Sequence, residues 1–279
     1  MNRIPMIDHP RLDMPALGFG TFELEPDTVL KMIPEALDIG YRHIDTAQVY
    51  DNEAQIGEAL ESSGIPRDQL FITTKVWVDR FEPDELRASV SESLDRLRLE
   101  RVDLLLLHWP KFDEAGMEPT LEALQRERAD GRSRHIGVSN FTVDHLEQAR
   151  GFLGDGELAT NQVEYHAFLG QDRLRSAMDD MGLALTAYMP LAKGKVVGNS
   201  TLADIGQRHG KSAVQVALRW LVQQSGVAAI PATTRVEHAR DNAGVFDFRL
   251  DDEDLKRIAA LAKDHRICTP SSLSPDWDD

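Results

Sequence analysis

An acid and a phenol stand five positions apart in Gly40-Tyr41-Arg42-His43-Ile44-Asp45-Thr46-Ala47-Gln48-Val49-Tyr50, just past a short strand-like run. Lys75 ends Phe71-Ile72-Thr73-Thr74-Lys75, and His108 ends Val102-Asp103-Leu104-Leu105-Leu106-Leu107-His108. Both runs are short, apolar or β-branched, and bounded by polar turns, as buried strands are. An acid, a phenol, an amine and an imidazole therefore all fall where strands finish. Such a set suits the reduction of a carbonyl. Hydride reaching a carbonyl carbon leaves an alkoxide-like oxygen, which needs a proton donor and a fixed positive or hydrogen-bonding group beside it. Tyr50 is the candidate donor, yet a phenol with a pKa of about 10 is too weak an acid unless an ammonium such as Lys75 stabilises the phenolate. A lysine in a partly dry site keeps its charge beside an ionised partner, and Asp45 is well placed for that. His108 has a donor's position on the substrate oxygen. Taken singly, each has a plainer reading: Asp45 as a helix cap, Tyr50 as a half-buried aromatic, Lys75 as a solvated strand end, His108 as a core histidine.

The elements that must hold these groups alternate along the chain. Strand-like pieces fall near 16–20, 42–45, 71–75, 102–107, 134–138, 159–163, 183–188 and 227–231, with helix-period stretches such as 83–97, 118–130, 171–181 and 212–223 between them. Alternation of this kind implies a parallel sheet with right-handed crossovers. Eight units at this length match an α/β fold of the (β/α)8 TIM barrel type, one domain over residues 1–279, with its chemistry on the rim at the strands' carboxyl ends. Residues 3–15 read as a β-ribbon across the barrel bottom and 251–263 as an added amphipathic helix. The stretch 264–279 reads as a tail.

Composition narrows the partners. With 279 residues, 42% of them apolar, the chain can bury a full core. A net charge of −16 repels a polyanion, so nucleic acid is excluded as a ligand. The N-terminus lacks a signal-peptide apolar run, and no stretch approaches the ~18 apolar residues of a membrane span. A soluble, cytoplasmic, monomeric protein is expected. Cys268 is the single cysteine, which rules out an internal disulfide and reads as an inert packing residue. No His-x-His pair exists among the nine histidines, so no metal site is expected. His43, two residues before Asp45, reads as structural. His166 follows strand six on the rim and is left unassigned. Nor do the glycines name a cofactor: Gly18-Phe19-Gly20-Thr21-Phe22-Glu23 breaks the dinucleotide fingerprint at its third glycine, and Gly194-Lys195-Val196 lacks the hydroxyl of a P-loop.

The order Asp45, Tyr50, Lys75, His108 and the segment 40–57 resemble the aldo-keto reductases, whose tetrad has this order. Asp45-Thr46-Ala47-Gln48-Val49-Tyr50-Asp51-Asn52-Glu53, the Tyr188-Met189 pair and the closing Leu273-Ser274-Pro275-Asp276-Trp277-Asp278 are most similar to the bacterial 2,5-diketo-D-gluconate reductases of the B type, a group that also reduces methylglyoxal. The resemblance makes the tetrad catalytic and implies NADPH as cofactor, with NADH also possible, and a small-molecule carbonyl (a dicarbonyl, keto sugar or aldehyde) as substrate. It also implies roles along the rim. Ser139, Asn140 and Gln162 would hold the nicotinamide amide, Tyr188 would stack on its ring, and Gly20 and Thr21 would lie beside it. Leu191 and Lys193 would face the pyrophosphate, and Asp241 and Asn242 the adenine. Phe22, Trp77, Trp109 and Trp277 would line the substrate pocket, with the tail folded over the rim.

Two departures from the family pattern concern the cofactor. Met189 stands where a pyrophosphate-binding serine is common, and after Ile230-Pro231 the usual Lys and Arg are replaced by Ala232 and His238. Thr233, Thr234 and Arg235 remain, with a helix beginning near Val236 whose N-terminus favours an anion. They are the expected holders of the 2′-phosphate that separates NADPH from NADH. Two rival functions use the same fold. One is an NADPH-sensing, weakly catalytic regulatory barrel; the other is a metal-dependent barrel hydrolase.

Overall fold

The computed structural model describes residues 4–278. Eight parallel strands run in sequence order: β1 Phe19–Gly20, β2 His43–Asp45, β3 Phe71–Val76, β4 Val102–Leu107, β5 Ser133–Ser139, β6 Leu158–Glu164, β7 Ala184–Tyr188 and β8 Val227–Ala229. The ring closes where Gly18 N–H donates to Ala229 O at 2.9 Å and Ala229 N–H donates to Ala16 O at 2.9 Å. The structure is thus the (β/α)8 barrel that the alternation predicts. Strands one and eight are shorter than their apolar runs. Pro231 has no N–H to continue the ladder, so β8 ends before it. At the same seam a Cβ on Gly20 would stand 2.7 Å from Ile230 O, so glycine there lets the two strand ends approach.

Single helices cross back between most strands: α1 Pro26–Ile39, α2 Glu53–Ser62, α3 Pro83–Leu97, α4 Met117–Ala129, α5 Val143–Leu153 and α6 Asp172–Met181. The last crossover uses two, α7 Ser200–His209 and α8 Ala213–Val222; α9 Val236–Ala243 and α10 Asp252–Ala259 follow β8. The starts follow local chemistry. α3 has Pro83 in its first turn with Asp84 and Glu85 beside it, and α10 opens on an Asp251–Asp254 capping box.

Side-chain parity sorts each strand. Leu104 and Leu106 turn inward, while Leu105 and Leu107 pack outward on the helices. The lower barrel is plugged by Ile7, Leu12, Met14 and Ala16 against Phe71, Leu104, Leu106, Ala184 and Ala228. This plug is less regular than the ribbon expected over 3–15. It has one antiparallel bridge, Met6 to Pro15, flanked by Ile7 N–H to Met14 O and Ala16 N–H to Pro5 O; residue 3 lies outside the described residues. Among the described residues no helix is long and apolar enough to cross a membrane.

Candidate active site

Every chemistry-bearing residue of the strands occupies one of the last inward positions. By the alternation that points Leu104 and Leu106 inward, His108 is the next inward residue after β4. Asp45 ends β2 in step with His43, Lys75 follows Thr73 in β3, and Gln162 and Glu164 end β6. Tyr50 comes from the 3-10 turn Gln48–Tyr50 that follows β2. Phe22, Val49, Tyr50, Trp77, His108 and Trp109 share one cavity of about 990 Å³ with rim residues from β1, β5, β6, β7, β8 and the tail.

Lys75 and Asp45 form the base of this cavity, both buried, with Nζ 2.5 Å from Oδ1. Lys75 also donates to Thr46 O at 2.6 Å, and Gln162 Nε2 donates to Asp45 Oδ2 at 2.7 Å, so both carboxylate oxygens are engaged. The Lys75 ammonium lies 5.0 Å from the centroid of the Tyr50 ring. The Tyr50 ring meets His108 edge-on at 5.7 Å and leans on Phe22 at 5.1 Å, and Trp77 meets His108 edge-on at 5.1 Å. Phenol, imidazole and ammonium thus come together, as the spacing of their strands predicts.

Burial dominates the protonation states. It lowers Lys75 from 10.5, with Asp45 pulling the other way. It lowers His108 well below the ordinary histidine value, helped by the Lys75 charge, so the imidazole is neutral near pH 7. Tyr50 rises well above 10 through burial, then through Asp45 and Cys268. Lys75 is expected from the sequence to bring the phenol down; in the folded chain burial, with Asp45, raises it instead. The phenol stays protonated at neutral pH, which is the form a donor needs. His43 is a fully buried histidine bonded to Thr73 Oγ1 at 3.1 Å, and burial pushes it down to about 4.

Around the base runs a polar chain. Tyr188 hydroxyl donates to Asn140 Oδ1 at 2.7 Å, Asn140 Nδ2 donates to His108 O at 2.9 Å, and Ser139 Oγ donates to Gln162 O at 2.8 Å. Asn140 is held at φ 64, and Met189, Ala192 and Lys193 also sit at positive φ, with no glycine to relieve them. Such backbone strain collects at ligand clamps. The loop carrying Leu191 and Lys193 faces Glu23 across the cavity mouth, with Lys193 Nζ 4.0 Å from Glu23 Oε1.

The profile of the aldo/keto reductase family matches residues 16–263. The chain belongs to this family. It is 41% identical over 266 residues to methylglyoxal reductase DkgB of Escherichia coli O157:H7, covering 95% of this chain and 99% of that protein. It is 40% identical to glyoxal reductase of Bacillus subtilis over 262 residues, 93% of each. A solved structure described as a candidate 2,5-diketo-D-gluconic acid reductase B superposes with a TM-score of 0.95 at 46% identity over 98% of both chains. As an aldo/keto reductase the protein is an oxidoreductase acting on carbonyl groups with a nicotinamide cofactor.

The residues present fit such a cofactor. The cavity volume is at the upper end for ligand sites. His108 Nδ1 is buried without a protein partner. Gly20, Thr21, Ser139, Asn140, Gln162, Tyr188, Leu191 and Lys193 all line the cavity. Thr233, Thr234 and Arg235 lie beyond the lining residues Ile230, Pro231 and Ala232, with Arg235 capping α9 and exposed. Asp241 and Asn242 sit one helix away; Asn242 is buried and Asp241 O accepts from Gln215 Nε2 at 2.9 Å. Trp277 is not a lining residue. It packs edge-on against Trp109 at 6.3 Å and under the Arg266 guanidinium, so it backs the wall while Pro270 and Leu273 face the cavity.

Glu23 and Glu164 are not among the residues the sequence singles out, though Glu164 carried a usable signal, since it shares the inward face of β6 with Gln162. The tail lies over the rim as the resemblance implies, but which of its residues face the cavity, Ile267 to Pro270 and Leu273, could not be picked out, because irregular backbone has no period to read.

The opposite shifts of Lys75 and Tyr50 predict an alkaline limb for a reaction that uses a charged Lys75 and a protonated Tyr50: with Lys75 lowered and Tyr50 raised, Lys75 loses its proton first as pH rises. The kcat for carbonyl reduction, measured where chemistry limits, is expected to fall with an apparent pKa below 10.5. A profile flat to that pH would break the assignment.

Proposed function

We propose that this protein reduces small dicarbonyls, keto sugars or aldehydes to alcohols with NADPH, Tyr50 donating the proton. The observation that carries the reading is the meeting of Tyr50, His108 and the buried Lys75–Asp45 pair at the inner end of one cavity. The cofactor, when bound, supplies hydride to the carbonyl carbon. The chain's residues do the rest. Neutral His108 donates one hydrogen bond to the carbonyl oxygen and orients it toward Tyr50. The phenol passes its proton to that oxygen as charge develops, and the Lys75 ammonium stabilises the phenolate left behind. Asp45 keeps Lys75 charged, and Gln162 keeps Asp45 aimed. Trp77, Trp109 and Phe22 shield the reacting groups from water.

The wall chemistry favours uncharged substrates. Lys193 is the one Lys or Arg among the residues lining the cavity, and it stands at the mouth near Glu23. A carboxylate carried toward Tyr50 would find aromatic rings, and the nearest cation, Lys75, is already paired with Asp45 beneath the phenol. The names of the relatives, methylglyoxal reductase and glyoxal reductase, support the same preference. For the adenosine end, Arg235 at the start of α9 is the proposed partner of the 2′-phosphate, its side chain exposed and only 3.9 Å from Glu237.

Assayed by NADPH oxidation, Tyr50→Phe is expected to lower kcat by roughly 10²–10⁴ with NADPH affinity nearly unchanged; a near-native kcat would remove Tyr50 as the acid. Across a carbonyl panel, kcat/KM for methylglyoxal should exceed that for 2,5-diketo-D-gluconate, and the reverse order would overturn the uncharged-substrate reading. Arg235→Ala should cost about 1.5–3 kcal/mol in NADPH binding and nearly nothing in NADH binding. Equal losses for the two cofactors, by titration calorimetry, would place the phosphate elsewhere.

A further inference from the structure

Glu164 and His166 are fully buried at the top of β6, yet neither has a part in the reaction as described. Both Glu164 oxygens are committed. Oε1 accepts from His166 Nε2 at 3.0 Å and from Ile267 N–H at 2.8 Å, while Oε2 accepts from Cys268 N–H at 2.7 Å. Phe168 N–H donates to His166 Nδ1 at 3.3 Å, which makes Nδ1 the acceptor and leaves Nε2 as the protonated nitrogen that serves Glu164. Burial works against a charge on Glu164, but His166 and the two amides outweigh it and hold the carboxyl below its ordinary range. The two amides belong to the tail, 103 and 104 residues further along the chain. The residues they introduce, Ile267 through Pro270 and Leu273, are the tail's contribution to the cavity wall.

We propose that Glu164, oriented by His166, is a positioning residue that pins the C-terminal tail over the rim and so sets the substrate-binding wall opposite Tyr50. A carboxylate is suited to this, since two neighbouring amides both point at it and a charged acceptor bonds each more strongly than a neutral one. Gln162 and Glu164 share one strand face, so β6 fixes the catalytic acid–amine pair with one side chain and the tail with the next. Leu169 pairs with Asp264 just before the tail, and further out Asp278 accepts from Val143 N–H at 2.9 Å while Trp277 packs on Trp109, so the Glu164 bonds are the backbone anchor of the stretch that faces the cavity between these two ties. The proposal rests on the carbonyl-reductase reading of the same cavity, but its first readout needs no turnover.

Cys268 is the chain's single cysteine, is half-buried, and gives one of the two anchoring amides, so its reaction rate with a chromogenic disulfide, compared at equal thiolate fraction because the Glu164 charge also holds the thiol's pKa up, reports tail seating. In Glu164→Gln one tail amide faces an NH₂ instead of an oxygen. Thiol labelling of the folded variant is expected to speed up by roughly tenfold or more, about 1.4 kcal/mol of anchoring. KM for methylglyoxal should rise by a similar factor while kcat stays within about threefold. Ile267→Pro deletes one donor while leaving the Glu164 charge in place and should accelerate labelling in the same direction, with Ile267→Ala as the control for the side chain's packing against the core; this keeps the test available if Glu164→Gln does not fold. Unchanged labelling in either folded variant would overturn the proposal, as would a fall in kcat with KM unmoved, which would put Glu164 in the service of the catalytic pair through Gln162. Faster labelling with no reductase activity in the wild type would sink the enzymatic reading and leave the anchor standing.

Discussion

A lysine ammonium with no access to water needs a partner, and in this barrel Asp45 is that partner at 2.5 Å. Removing either member would leave a charge stranded in a dry interior, a far larger loss than the pair itself contributes to stability. The pair therefore dictates its surroundings. Asp45 takes a second bond from Gln162 on the far side of the barrel, Lys75 takes the Thr46 carbonyl, and Thr21 Oγ1 donates to the Asp45 carbonyl at 3.0 Å. Strands one, two, three and six are tied to one charged centre. Tyr50 lies above it and His108 beside it, each with its protonation state set by dehydration and by that centre.

The rim above this centre is less regular and does a different job. The loops after β5 and β7 carry Asn140, Met189, Ala192 and Lys193 at positive φ, a cost accepted where polar groups must face a ligand. Met189 occupies one of these strained positions at the point where the family commonly has serine. Its loop reaches Glu23 through Lys193, so the mouth over the cavity is bracketed by opposite charges on β1 and β7 connections. The tail supplies the remaining side. Its outer part is braced by Trp277 between Trp109 and Arg266, behind the residues that face the cavity.

The two ends of the cavity thus differ in chemistry. Near Tyr50 it is aromatic, lined by Phe22, Trp77 and Trp109. Toward β8 it opens past Ala232 to an exposed stretch of hydroxyls and one guanidinium. Family membership fixes the reaction class. The departure from the common family pattern lies at the open end, where Ala232 and His238 stand in place of the usual basic pair.

The barrel was legible because its strands are short β-branched or apolar runs in regular alternation with helix-period stretches, with Asp45, Lys75 and His108 at the carboxyl ends of strands two, three and four. Strand parity places Asp45, Lys75, His108 and Gln162 on the inner face before any contact is known, since a period of two leaves no other choice. Sequence alone therefore determined the fold and that Asp45, Tyr50, Lys75 and His108 meet at one end of it. Tertiary structure decided the protonation states, because dehydration depends on what else is packed around a group: Tyr50 rises where its lysine neighbour suggested a fall. It also decided the roof. The bonds from Ile267 and Cys268 to Glu164 span more than a hundred residues and involve backbone amides, which every sequence possesses and no sequence pattern can single out.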